Sequence, residues 1–267
     1  MFRPESSLIG MVHVGALPGT PAAAEPIDVL ARRAADEARL LAGLGVDAVM
    51  VENMHDRPYV TRVGPEIVAG MTAIGVAVRA AVDVPVGVQI LAAGHIEALA
   101  VAAACGADFV RVENFVFAQV ADEGLMSSAV AGELLRYRRA IGATHIAVWA
   151  DVKKKHASHA LTADTTLADT ARAAEFFGAD AIIVTGAATG RPASIGDVRA
   201  AREAVQIPVL VGSGVTPDNL DALWPFAHGF IVGSYLKRDG LWSNPPDPKR
   251  VERLVSAVAS RRAASAA

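Results

Sequence analysis

Eight short β-branched runs alternate with helix-length segments along the 267 residues, three helix ends repeat a Gly-Xaa-Asp signal, and the last two runs each close on Gly-Ser. Together these predict an α/β protein, a single (β/α)8 barrel over residues 1–267, with its working face at the C-terminal ends of the strands. The length agrees, since such a barrel uses about 250 residues.

The first apolar run, 8–14, ends in the turn-rich Gly15-Ala-Leu-Pro-Gly19. A helix over 27–44 leads to a second strand at 47–53 and a loop at 54–63. Gly64-Pro65 opens the next helix, in which Ile67, Met71, Ile74 and Val78 recur at helical spacing. The third strand is 85–90 and its helix 95–105. The fourth strand, 108–114, enters a long loop to about Ser128, and a helix follows over 130–141. A fifth strand at 145–151 leads to a second long loop and a helix over 165–177. The sixth strand, 180–185, is followed by a loop at 186–194 and a helix at 195–205. Pro208-Val-Leu-Val-Gly-Ser213 and Gly229-Phe-Ile-Val-Gly-Ser234 read as the seventh and eighth strands, with a helix over 216–226 between them. A last helix covers 248–262, and 263–267 read as a disordered tail.

The repeats agree with this reading. Gly45-Val-Asp-Ala48, Gly106-Ala-Asp-Phe109 and Gly178-Ala-Asp-Ala181 each place a C-cap glycine between a helix and a strand. Val84-Pro-Val and Ile207-Pro-Val open strands four units apart. The long loops all follow strands, where a barrel keeps its function.

Hydrophobic residues make up 52% and charged residues 20%, which suits a globular protein with closely packed helices. A net charge of −3 without a basic run argues against nucleic acid as a partner, and Lys153-Lys-Lys155 is too short to change that. The single cysteine, Cys105, cannot form an internal disulfide, so a reducing cytoplasm is the expected compartment. No signal peptide is read before the first apolar run. The longest apolar windows, such as 67–78, fall short of the roughly 18 residues of a membrane span, which leaves only peripheral membrane contact. A homo-oligomer is the expectation for a barrel.

Candidate chemistry clusters at strand ends. Glu52, Glu113 and Asp151 close the second, fourth and fifth strands. Glu52 and Glu113, each in a Val-Glu-Asn, are placed to share a substrate, a proton or a divalent cation, while no cofactor is required. Arg111 lies two residues before Glu113 and so on the same side of its strand, available as a partner. Asn53, Asn114 and His156 are secondary candidates. Strict alternation puts Asp151 and Lys153 toward the mouth with Val152 outward, and a lysine in a dry barrel serves as a base, an electrostatic stabiliser or a Schiff-base former. His13 ends the first strand as a possible acid/base group. Glycine turns at Gly186, at Gly212-Ser213-Gly214 and at Gly233-Ser234 offer backbone N–H groups to a phosphate, each such bond contributing roughly 1.5–3 kcal/mol. Glu113 or Asp151 is the expected general base, with Glu52 orienting a hydroxyl or a metal.

Met11-Val-His-Val-Gly-Ala-Leu-Pro-Gly-Thr-Pro21, the Val-Glu-Asn at Glu52, Arg111-Val-Glu-Asn114, Asp151-Val-Lys-Lys-Lys-His156, Val184-Thr-Gly186 and Gly212-Ser-Gly-Val215 together resemble the BtpA/SgcQ family over nearly the whole chain. The resemblance implies a phosphate-binding barrel. For function it implies either sugar or nucleoside metabolism, or a peripheral role in the biogenesis of photosystem I. Two readings therefore stand: an enzyme acting on a small phosphorylated sugar or nucleotide-like substrate, by proton abstraction, aldol-type cleavage or glycosidic-bond cleavage, and a non-enzymatic assembly factor for membrane complexes.

Overall fold

The computed structural model describes residues 7–186 and 190–266. Eight parallel strands close a barrel: β1 (Ser7–His13), β2 (Ala48–Glu52), β3 (Val86–Gln89), β4 (Phe109–Val112), β7 (Ala147–Val152), β9 (Ala181–Val184), β10 (Val209–Val211) and β11 (Gly229–Val232), with β11 returning to pair with β1. Helices α1 (Ile27–Gly43), α2 (Pro65–Ala81), α3 (His95–Cys105), α4 (Ala131–Ala140), α5 (Leu167–Phe176), α6 (Ile195–Ala204), α7 (Pro217–Leu223) and α8 (Pro248–Ala266) each follow one barrel strand. No described helix is long and apolar enough to cross a membrane.

Two departures from the sequence reading matter. The long loops after β4 and β7 carry a small antiparallel sheet of β5 (Gln119–Ala121), β6 (Gly124–Met126) and β8 (Ala157–Ser158), in the order β6-β5-β8. Also, α8 runs to Ala266 rather than fraying after Arg262, so most of the expected disordered tail is helical.

The period-2 alternation of strands sorts side chains into two cores. Leu8, Val12, Val49, Val51, Val86 and Val88 face outward and pack with helix residues such as Leu30, Leu41, Ile74 and Leu99. Ile9, Met11, Met50, Phe109, Trp149, Ile183, Leu210 and Ile231 face inward and fill the barrel. The Phe109 and Trp149 rings stack at 3.8 Å between centroids across its centre. Gly87 makes room for them, because a Cβ there would lie 2.0 Å from Phe109 Cε2.

The Gly-Xaa-Asp repeat has a structural cause. Gly45, Gly106 and Gly178 take φ of +98°, +72° and +88°, the left-handed conformation that ends a helix. Two residues on, the aspartate accepts a backbone N–H from the adjacent strand: Asp47 from Leu8 at 2.7 Å, Asp108 from Val86 at 2.9 Å and Asp180 from Val148 at 2.8 Å. Each motif thus satisfies a strand-start donor at the base of the barrel, opposite the working face. His228 takes the same part before β11, its Nδ1 accepting from Val209 N at 3.0 Å.

Candidate active site

Continuing the inward alternation past the apolar layers brings His13, Glu52, Gln89, Arg111, Glu113, Asp151, Thr185, Gly212 and Gly233 to the C-terminal mouth, with the register pairing His13 to Glu52 and Glu52 to Gln89. Polar side chains here sit above a dry plug, so their charges are desolvated and strongly coupled.

One half of the mouth is a cavity of about 180 Å³ lined by His13, Glu52, Arg111, Lys155, Gly190, Gly212 to Thr216, Gly233 to Tyr235, Gly240 and Arg250. The second half, about 280 Å³, is lined by Arg57, Tyr59, Glu113, Asp122, Glu123, Lys154, His156 and Trp242, and shares Glu52, Met54 and Lys155 with the first. The turn between β5 and β6 contributes Asp122 and Glu123, and His156 just before β8 joins them, so the two long loops line this acidic side.

The glycine loops interlock in the first half. Ser213 Oγ accepts from Gly186 N at 2.6 Å and donates to Arg191 O at 2.9 Å. Gly214 has φ +65°, and a Cβ there would lie 2.3 Å from Pro192 N. These bonds correct the sequence reading at two positions. Gly186 lies outside the cavity with its N–H committed to Ser213, and the N–H of Gly212 donates to Val184 O at 2.8 Å. Gly212, Ser213, Gly214, Gly233 and Ser234 do line the cavity. Arg250, from the first turn of α8, joins them; its Nε donates to Tyr235 O at 2.6 Å and its guanidinium lies 4.4 Å from the Tyr235 ring centroid.

The acids are not equivalent. Arg111 grips Asp151, with Nε 3.2 Å from both oxygens and Nη2 3.0 Å from Oδ2, both side chains buried. Arg111 therefore serves Asp151 rather than Glu113. Glu113 pairs instead with Lys154 at 2.9 Å and accepts from Gln89 Nε2 at 3.3 Å. Burial pushes the Glu113 carboxyl up, but Lys154 and then Arg111 outweigh it and hold it below the usual carboxylate range. Glu113 and Asp151, expected as general bases, are thus neutralised by cations of their own. Glu52 has no lysine or arginine nitrogen within 4 Å among the described residues, only the His13 ring at 3.7 Å, and burial raises its pKa.

His13 Nδ1 lies 2.9 Å from Trp242 O, which fixes the tautomer that carries its proton on Nδ1. Nε2, then an acceptor, lies 3.7 Å from Glu52 Oε2. Burial, and next the Lys237 charge, lower the His13 pKa to about 3. A neutral imidazole therefore faces a carboxyl that is easily protonated, a combination suited to exchanging a proton with a bound molecule.

The lysine run departs from strict alternation. Lys153 takes φ +52°, and its Nζ donates to Thr165 O at 2.6 Å, away from the mouth. Lys154 and Lys155 face the site in its place, lining the second half and both halves respectively. Burial and then Arg111 lower the Lys155 pKa, whereas at Lys154 burial is outweighed by Glu113 together with Glu123 and Asp151, which raise its pKa and keep it charged.

Asn53 and Asn114 are bracing groups. Asn53 accepts from Leu91 N at 2.7 Å and donates to Asp56 at 2.8 Å, and Asn114 donates to Ser128 O at 2.8 Å. His156 sits at the exposed rim, its Nδ1 3.7 Å from Asp122 Oδ2. Among the described residues no three His, Cys, Asp or Glu side chains group as a metal site.

The BtpA family pattern matches residues 4–260. The chain belongs to the BtpA family. A Caenorhabditis elegans relative, "Uncharacterized protein F13E9.13, mitochondrial", is 43% identical over 257 residues, 94% of this chain and 92% of its own. The "Photosystem I biogenesis protein BtpA" of Synechocystis is 38% identical over 260 residues, 97% of this chain and 90% of its own. Among solved structures, thiamine phosphate pyrophosphorylase from Pyrococcus furiosus superposes with a TM-score of 0.61 at 17% identity, covering 96% of this chain and 98% of that one. N-(5'-phosphoribosyl)anthranilate isomerase from the same organism does so at 0.57 and 15%, covering 95% and 99%. At these identities the superpositions establish the barrel for this BtpA family member and no more.

Burial of two imidazoles predicts a pH effect. His95, wholly buried at the start of α3, has its pKa lowered to about 4 by desolvation. Below pH 6.5 the unfolded chain binds a proton that folded His95 refuses, so stability is lost as pH falls, by up to about 1.4 kcal/mol per pH unit. Urea unfolding of the wild type relative to His95→Gln is expected to show a stability difference that declines from pH 6.5 toward pH 4. A pH-independent difference would show that the folded imidazole protonates normally.

Proposed function

We propose that this protein is an enzyme that transfers protons on a small phosphorylated sugar or nucleoside-like molecule. The observation that carries the reading is the continuity of one mouth. The Gly214 and Gly233-Ser234 loops and Arg250 lie in the same cavity as His13, Glu52 and Lys155. Loops of this kind after the last strands of a barrel suit a phosphate, and Arg250 adds a fixed guanidinium beside them. With the phosphate held there, the rest of a small molecule extends over the layer where neutral His13 and the Glu52 carboxyl differ in proton affinity. That arrangement favours proton abstraction next to a carbonyl, as in an isomerase or lyase, and also suits acid-assisted cleavage of a glycosidic bond.

The titles of the two structural neighbours, a thiamine phosphate pyrophosphorylase and a phosphoribosylanthranilate isomerase, accord with a phosphorylated substrate. The alternative, assembly of membrane complexes, rests on the name of the Synechocystis relative. The basic surface that a membrane role would use is occupied by neighbours: Arg253, Arg261 and Arg262 of α8 pair with Asp218, Asp221 and Asp47.

Thermal unfolding against a panel of sugar phosphates, nucleotides and inorganic phosphate tests this. A ligand at 100 times its Kd adds about 2.7 kcal/mol, or roughly 5–10 °C for a chain of this size. The shift is expected with at least one phosphorylated compound and is expected to be lost in Arg250→Met. A midpoint unmoved by every compound would remove the reading.

A further inference from the structure

The chain has five lysines, and four are accounted for. Lys153 donates to Thr165 O, Lys154 pairs with Glu113, buried Lys237 pairs with Glu37, and Lys249 lies on the first turn of α8. Lys155 forms no ion pair among the described residues, yet it lines both halves of the mouth at the point where they join, together with Glu52. We propose that Lys155 is a covalent catalytic residue that captures a carbonyl-bearing, phosphorylated substrate as an imine. The proposal rests on the phosphorylated-substrate reading and adds a substrate class, a ketone or aldehyde, to it.

The surroundings supply what imine formation consumes and releases. The Lys155 nitrogen lone pair attacks the carbonyl carbon, a C–N bond forms, and the carbonyl π electrons move to oxygen, which takes a proton from the Glu52 carboxyl. The nitrogen gives up a proton to His13 Nε2, the imidazole face left open by the Nδ1–Trp242 bond. His13 passes that proton to the carbinolamine oxygen, which leaves as water, and the Glu52 carboxylate takes the remaining proton from the iminium nitrogen, so amine plus carbonyl become imine plus water with both groups returned to their starting state. An amine must be unprotonated to attack, and partial burial with Arg111 nearby disfavours the ammonium form of the half-buried Lys155. Lys154, one residue earlier, is held charged by Glu113 and is a poor nucleophile. The left-handed turn at Lys153 (φ +52°) sends Lys153 to Thr165 and brings Lys154 to the site, while Lys155 keeps the inward place that alternation gives it.

The test uses the full chain with pyridoxal 5'-phosphate and dihydroxyacetone phosphate as probes, each reduced with borohydride and followed by intact mass and peptide mapping. One reduced adduct per chain, on Lys155, is expected, with labelling suppressed at least tenfold by excess inorganic phosphate and absent in Lys155→Arg. That variant should keep the phosphate-dependent thermal shift, which shows that it folds and that the anion end is intact. Adducts on Lys249 or the N-terminal amine, with Lys155 unlabelled while phosphate compounds still raise the midpoint, would overturn the imine and leave the phosphate reading in place. Equal labelling of Lys155 by phosphate-free pyridoxal, insensitive to inorganic phosphate, would support the lysine nucleophile and count against the phosphate end.

Discussion

Replacing Arg111 with methionine is expected to destabilise the protein by about 3–5 kcal/mol, a drop in Tm of roughly 10 °C. The guanidinium is buried, makes three contacts under 3.3 Å with Asp151, and lies close enough to Glu52 and Glu113 to be felt by both. Removing it leaves Asp151 without its cation in a dry space beside Glu52 and Glu113, so a carboxyl there must take up a proton. The double variant Arg111→Met/Asp151→Leu removes both charges and should recover most of the loss, since an absent buried pair costs far less than a broken one. Thermal or urea unfolding reads both. An unchanged Tm for the single variant would mean that Asp151 is already neutral and that the ion pair contributes nothing.

Gly214→Val is expected to abolish the stabilisation given by phosphorylated ligands, about 2.7 kcal/mol at 100 times Kd, and to lower the ligand-free Tm as well. Left-handed backbone costs a residue with a side chain about 1–2 kcal/mol, and a Cβ 2.3 Å from Pro192 N and 2.4 Å from Arg191 C must push the 190–192 segment off its place. Gly43→Ala is the matched control, since nothing lies within 4 Å of a Cβ there. A Gly214→Val protein that still shifts with ligand would show that the anion is held elsewhere.

The barrel was legible because its signals are local and repeated. A glycine that ends a helix and an aspartate that caps a strand start recur in the chain, and the physics behind Gly45-Val-Asp, Gly106-Ala-Asp and Gly178-Ala-Asp is the same each time. Alternation along a strand likewise brought Glu52, Arg111, Glu113, Asp151 and His13 to one face. Gln89 obeyed the same rule and was open to the same reasoning, as the polar end of Val86-Gly-Val-Gln89.

What alternation could not reach was decided by backbone turns and by partners distant in sequence. The positive φ at Lys153 turned Lys153 away and put Lys154 in its place beside Lys155, and nothing in a run of three lysines marks which one turns. The pairing of Arg111 with Asp151 rather than Glu113 depends on how β4 and β7 lie side by side, 40 residues apart. Gly186 looked like a phosphate donor because it follows a strand, but Ser213 takes its N–H. Arg250 and Trp242 come from the segment after the last strand, where sequence alone read a last helix over 248–262 and no site residue. The β5-β6-β8 sheet has strands of two or three residues, too short to show a period.

The central claim, that this mouth holds a phosphorylated molecule by its glycine loops and works on it at the opposite end, is tested most directly by a crystal structure with the compound that gives the largest thermal shift. The account predicts phosphate density against the Gly214 and Gly233-Ser234 backbone and the Arg250 guanidinium, with the rest of the molecule reaching His13, Glu52 and Lys155. A phosphate seated among Arg57, Lys154 and His156 instead, or bound away from the mouth altogether, would contradict it.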